Sequence, residues 1–163
     1  SADFNDVDTA ALVTMGNANA VNLFFLESFS GASGASLIGI AGGLPGTMGI
    51  KGKFNGVLIN GVATRGGSDA FYARTTAEFA FHEIGHFVGL YHTTEKFFDD
   101  TDVLADTPAC VVADDADTDG IADISECPDG SNLMFWNSDF STTKLPLTAD
   151  QQRVMIYSPI ARP

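Results

Sequence analysis

The amino-acid sequence predicts an α+β fold in a single domain of 163 residues. Three observations carry that expectation. Short apolar runs of strand length stand at 21–26, 36–41 and 56–62, the second ending in the breaker cluster Gly42-Gly43-Leu44-Pro45-Gly46. Helical signals stand apart from them, at 6–18, before Gly89 and after Thr148. Between the last two, residues 93–147 show little period and many Asp, Gly, Thr and Pro. So long an irregular stretch is unusual in a compact domain unless ions or crosslinks hold it.

Taken in order, 6–18 reads as a helix because Val7, Ala10, Ala11 and Met15 recur at helical spacing. The three strand candidates follow, and the pattern leaves their pairing open as parallel or antiparallel. Thr75-Thr76-Ala77-Glu78 matches a capping box, so the next helix is expected from about 76 to 88, ending at Gly89. Phe79, Ile84, Phe87 and Val88 are its apolar positions for burial against the sheet. Thr148 and Gln151 repeat the cap pattern, opening a last helix of about eight residues that reaches Ile156 or Tyr157. The chain divides at the glycine that ends the second helix, into an upper part of about 1–89 and a lower part of about 90–163.

All three histidines lie in one window, His82-Glu83-Ile84-Gly85-His86-Phe87-Val88-Gly89-Leu90-Tyr91-His92. On a helix, His82 and His86 stand one turn apart on the same face, so two imidazoles can meet one metal ion. Glu83, about 100° around the helix from His82, can sit beside that metal without ligating it and take a proton from its water. Gly89 tolerates a positive φ, so the chain can turn there and bring His92 in as third ligand. Three protein ligands and an open fourth position make a catalytic zinc site.

The window H-E-x-x-H-x-x-G-x-x-H resembles the zinc signature of the metzincin metallopeptidases, and His86 to Thr93 resembles the pappalysin branch. Asp106-Thr107-Pro108 followed by Cys110 is also similar to pappalysin sequences. The resemblance implies a zincin fold. Its upper half is a twisted mixed sheet with a backing helix and the zinc helix, and its lower half is irregular and ends in a helix. It also implies a Met-turn beneath the zinc, for which Asn132-Leu133-Met134-Phe135-Trp136 supplies Met134. Many relatives carry a tyrosine two places after that methionine. Here Trp136 stands instead, whose indole can donate a hydrogen bond but has no phenolic proton to exchange, so a packing role is expected for it. No strand is expected ahead of the helix at 6–18, where relatives usually have one.

A second motif lies in the irregular stretch. Asp115, Asp117, Asp119, Gly120 and Glu126 match the calcium-loop pattern D-x-D-x-D-G-x5-E at every specified position, with the Ile121 carbonyl and Asp123 as further ligands. Cysteines rather than amphipathic helices flank the loop, so a structural calcium site is expected in place of a helix-paired sensor. A solvated acidic loop without an ion is the alternative. A disulfide joining Cys110 and Cys127 would close the loop and contribute about 3 kcal/mol in the chain-entropy model. The alternatives are two free thiols or two zinc ligands, the latter lacking a second Cys or His cluster to complete a site.

A net charge of −13 argues against nucleic acid, whose phosphates it would repel. No stretch has the apolar length of a membrane span. The chain begins at Ser1 without a signal-peptide pattern, as a mature or trimmed product would. With the expected disulfide, this implies a secreted or extracellular protein, or a periplasmic one, acting as a monomer.

These features together point to a zinc endopeptidase with catalytic Zn2+ and structural Ca2+, acting on protein or peptide substrates. The substrate would extend along the edge strand near 36–41, and the pappalysin resemblance implies a pocket that takes basic side chains. The competing readings are an astacin-like or reprolysin-like metzincin and a calcium-dependent binding module with a vestigial zinc site.

Overall fold

The computed structural model describes residues 12, 15–27, 29, 37–61, 68–138 and 143–161. Within them the chain is α+β, with three strands and two helices. Strand β1 is Asn22–Leu26, β2 is Gly39–Ala41 and β3 is Gly56–Asn60. Helix α1 is Asp69–Val88 and α2 is Ala149–Tyr157. By contact, the described residues separate into two compact units that divide between Val88 and Gly89.

In the first unit the sheet order is β1-β3-β2. β1 runs parallel to β3, in the register Asn22↔Gly56 to Leu26↔Asn60, and β2 runs antiparallel to it, with Ile40 opposite Leu58. The sheet is therefore mixed, resolving the pairing that the sequence left open. β3 is central and every residue in it is buried, which is why Val57-Leu58-Ile59 is a continuous apolar run with no alternation. β2 is shorter than its apolar stretch, and residue 36 lies outside the described residues, as does residue 62 beyond β3.

Most of the helix expected at 6–18 lies outside the described residues, but its expected end is corrected. Met15–Ala18 are not helical, and Gly16 turns the chain with φ 86°. Backbone groups here are taken by side chains. Asn22 Oδ1 accepts from the Asn17 N–H at 2.7 Å, and Asn55 Nδ2 donates to the Ala18 and Ile50 carbonyls at 3.0 and 2.7 Å. Asn55 is fully buried, so this polar hub holds two loops against the sheet without leaving its amide N–H groups unbonded.

The start of the histidine-bearing helix is also corrected: α1 begins at Asp69, not near 76. Thr75 is an interior, fully buried residue whose hydroxyl donates back to the Phe71 and Tyr72 carbonyls at 3.0 and 3.1 Å. Ser68 takes the capping position, its Oγ accepting from the Phe71 N–H at 3.3 Å. The end stands as expected. Gly89 has φ 110°, a conformation strained for any residue with a Cβ, and the helix stops there. Phe87 and Val88 are buried, whereas Phe79 and Ile84 are only partly so.

The last turn of α1 is clamped by the breaker cluster. The Gly46 N–H donates to the Phe87 carbonyl at 2.8 Å, satisfying one of the helix's terminal acceptors. A Cβ at Gly46 would lie 2.0 Å from Phe87 Cε2. Gly46→Ala is therefore expected to destabilise the protein by about 1–3 kcal/mol through overpacking, read as a lower denaturant midpoint at unchanged m-value.

The second unit is largely irregular, and its small core shows what replaces regular structure. Cys110, Ala122, Cys127 and Phe135 are buried together, with Phe98, Ile124 and Trp136 packed against them. Cys110 and Cys127 form a disulfide spanning 17 positions, so the free-thiol and zinc-ligand readings fall away. α2 opens with the expected capping box: Thr148 Oγ1 accepts from the Gln151 N–H, and Gln151 Oε1 accepts from the Thr148 N–H.

Candidate metal centre

The metal centre starts from helix geometry. α1 carries His82 and His86 one turn apart, and their Nε2 atoms lie 3.1 Å from each other. His92 follows three residues after the turn at Gly89, and the ligand atoms of all three imidazoles lie within 4.8 Å of one another. Two nitrogens each about 2.0–2.1 Å from a tetrahedral zinc stand about 3.3–3.4 Å apart. The His82–His86 separation is close to that edge length, and three neutral imidazoles are a donor set zinc accepts. The residues therefore fit a metal ion.

The ring of His92 is held by a residue that the sequence reading did not single out. Its Nδ1 lies 2.8 Å from Glu95 Oε1, three positions along the chain. A carboxylate on the far nitrogen of a metal-ligating histidine is the usual partner that fixes its orientation. The signal was in the sequence, but only for a reader asking what holds the second nitrogen.

Glu83 is buried against β2. A Cβ at Gly39 would come 2.5 Å from Glu83 Cγ, so the strand approaches the carboxyl closely because residue 39 lacks a side chain. Desolvation pushes the carboxyl up to about 7, against the pull of a hydrogen bond from the Ala41 backbone. Such a group exchanges protons near neutral pH, as a general base must.

In metal-free protein this burial has a measurable cost. Below the group's ordinary value of 4.5, folded and unfolded chains both hold the proton. Between 4.5 and about 7 the unfolded chain releases it while the folded chain keeps it, so stability falls as pH rises through that window. The expected loss is on the order of 3 kcal/mol. Denaturant titrations of the metal-free protein from pH 4 to 8 should show it, and Glu83→Gln should remove it.

In the second unit the expected Met-turn residue, Met134, is fully buried. Its N–H donates to Asn132 Oδ1 at 2.8 Å, and its carbonyl accepts from the Thr93 N–H at 3.0 Å, beside His92. Asn132 and the fully buried Gln151 exchange side-chain amide hydrogen bonds at 3.1 and 3.2 Å, tying this turn to α2. Trp136 donates its indole N–H to the Ala122 carbonyl at 2.7 Å, so the ring links the turn to the acidic loop.

The acidic loop gathers its carboxylates. Ligand atoms of Asp115, Asp117 and Glu126 lie within 4.8 Å of one another, as do those of Asp117, Asp119 and Asp123. Asp115 Oδ2 accepts from the Gly120 N–H at 3.0 Å, and Glu126 Oε1 from the N–H groups of Ala116 and Asp117 at 3.1 and 3.2 Å. Gly120 makes the sharp bend with φ 78°. Asp115 Oδ1 and Glu126 Oε2 are buried with no hydrogen-bond partner, an arrangement that a cation would relieve. The residues thus fit calcium. Asp106 is employed otherwise: its carboxylate accepts from the Asp150 N–H and the Thr148 hydroxyl at 2.9 and 2.8 Å, capping α2. The Asp150 N–H foremost holds that carboxyl below its usual range.

Comparison with known families, curated proteins and solved structures finds no match to this chain. Among the described residues no helix is long and apolar enough to cross a membrane. The disulfide is consistent with an oxidising compartment.

Proposed function

We propose that the chain is a secreted zinc endopeptidase of the metzincin type, most like the pappalysins. The observation that carries the reading is the convergence of His82, His86 and His92 on one another beside a helix that also bears Glu83. Zinc held by the three imidazoles would polarise the scissile carbonyl and lower the pKa of the attacking water. Glu83 takes the proton of that water and passes it to the leaving amine. Gly39–Ala41 supports the reading as the substrate strand. Among the described strands β2 is an edge, it pairs with β3 on one side only, and its Ala41 N–H already touches Glu83. An extended peptide would add to the sheet there through backbone hydrogen bonds. Basic side chains are the proposed specificity, on the pappalysin resemblance alone.

Digestion of a diverse peptide mixture, read by mass spectrometry, tests this. Cleavage should stop with a chelator and return when zinc is added back with calcium present. A zinc- and calcium-supplied protein that cuts nothing supports the binding-module reading instead.

Calcium is the second proposed ion, held by Asp115, Asp117, Asp119, the Ile121 carbonyl, Asp123 and Glu126. Its support is the pair of buried, unpartnered oxygens on Asp115 and Glu126. Trp136 is the chain's single tryptophan and bonds to Ala122 beside this loop. Calcium alone, titrated into the zinc-loaded protein, should therefore shift tryptophan emission saturably, and Glu126→Gln should weaken the response. A flat titration counts against the site.

A further inference from the structure

We propose that Glu95 is a positioning residue for the metal: its carboxylate holds His92 in the Nδ1–H tautomer and so presents Nε2 as the third ligand. The inference rests on the metal reading of the three histidines and deepens it. Its geometric basis is the 2.8 Å contact between His92 Nδ1 and Glu95 Oε1. With Nδ1 donating to a carboxylate, the ring's lone pair is on Nε2, and a metal would be taken through that atom.

Glu95 is itself fixed for this purpose. Its N–H donates to the Asp100 carbonyl at 2.9 Å, and its own carbonyl accepts from the Phe98 N–H at 3.1 Å. Thr94, just before it, makes an antiparallel bridge with Thr101. Lys96, just after it, accepts from the N–H of the fully buried Ala122 at 2.9 Å. The carboxylate therefore projects from a small, closed turn with both flanks anchored. Its side chain is 42% exposed and that of His92 23%, so the pair contributes little to folding and its effect falls on ring orientation. His82 and His86 are oriented by one helix, whereas His92 stands beyond it in irregular chain, where a ring needs a partner to fix it.

Zinc affinity, measured by competition with a chelating indicator, separates the possibilities. Glu95→Ala should bind zinc 10- to 100-fold more weakly than the unmutated protein. Glu95→Gln keeps an acceptor oxygen at the same place and should recover most of that loss. The denaturant midpoints of both metal-free variants should match the unmutated protein. Nitrogen-15 spectra of the metal-free imidazoles give a readout that needs no metal: His92 should be the Nδ1–H tautomer in the unmutated protein and a mixture in Glu95→Ala. Unchanged zinc affinity in Glu95→Ala, where His92→Ala loses zinc, overturns the role of Glu95 and leaves the metal centre standing. Equal zinc binding by the unmutated protein and His92→Ala overturns the metal reading itself.

Discussion

Zinc-loaded Glu83→Gln is expected to bind the metal as the unmutated protein does, while kcat/KM for peptide cleavage falls by about 10²–10⁴-fold, the usual worth of a positioned general base. The substitution keeps the volume and planarity of a side chain packed against Gly39, so the fold has no reason to change. In the proposed mechanism, what it removes is the ability to accept a proton from water and return it to the amine. The carboxyl is buried, and burial sets its proton exchange near neutrality. Kinetics on a single cleaved peptide, with zinc content measured on the same sample, check the result. Lost cleavage accompanied by lost zinc would mean that Glu83 holds the metal or the fold, and not the reacting water.

The second large effect is on the unit that begins at Gly89. Replacing both Cys110 and Cys127 by Ala is expected to cost about 3 kcal/mol, with 2–5 kcal/mol as the range for a small secreted domain. Two mechanisms add. The crosslink spans 17 positions and restricts the unfolded chain, and both sulfurs sit in the buried cluster with Ala122 and Phe135. That cluster is small and the surrounding chain has little regular structure, so few other contacts compensate. Ala122 also accepts the Trp136 indole and donates to the Lys96 carbonyl, next to Glu95. Loosening the cluster should therefore reach the residues that hold His92, and the double variant should bind zinc more weakly as well as melt lower. Calorimetry of the metal-free protein, beside zinc competition, measures both parts. An unchanged melting temperature would mean that the cluster holds this unit without its crosslink.

The histidine cluster was legible because its logic is local: His82, His86 and His92 lie within one helix end and the turn after it. The second cap was legible for the same reason, since Thr148 and Gln151 meet each other across three residues. The first cap misled on equally local grounds. Thr75 and Glu78 have the right spacing, but Asp69-Ala70-Phe71-Tyr72-Ala73 is equally able to form helix, and Glu78 turns to Arg74 at 3.5 Å. Nothing in a four-residue pattern reveals that a helix has already begun. Contacts between distant segments were not legible at all. Asp106 reaches across more than forty positions to cap α2, and Asn55 collects carbonyls from a loop nearly as far away. Such polar partners leave no periodicity, because each is fixed by where the chain returns and not by its neighbours.

Zinc-edge X-ray absorption on the loaded protein reads the ligands of the proposed three-histidine site. The expected result is one zinc per chain, with three imidazole nitrogens and one lighter oxygen ligand at about 2.0–2.1 Å. That pattern should lose one nitrogen in His92→Ala. A zinc with four protein ligands, or one whose ligation is indifferent to His82, His86 and His92, would rule out a three-histidine catalytic centre.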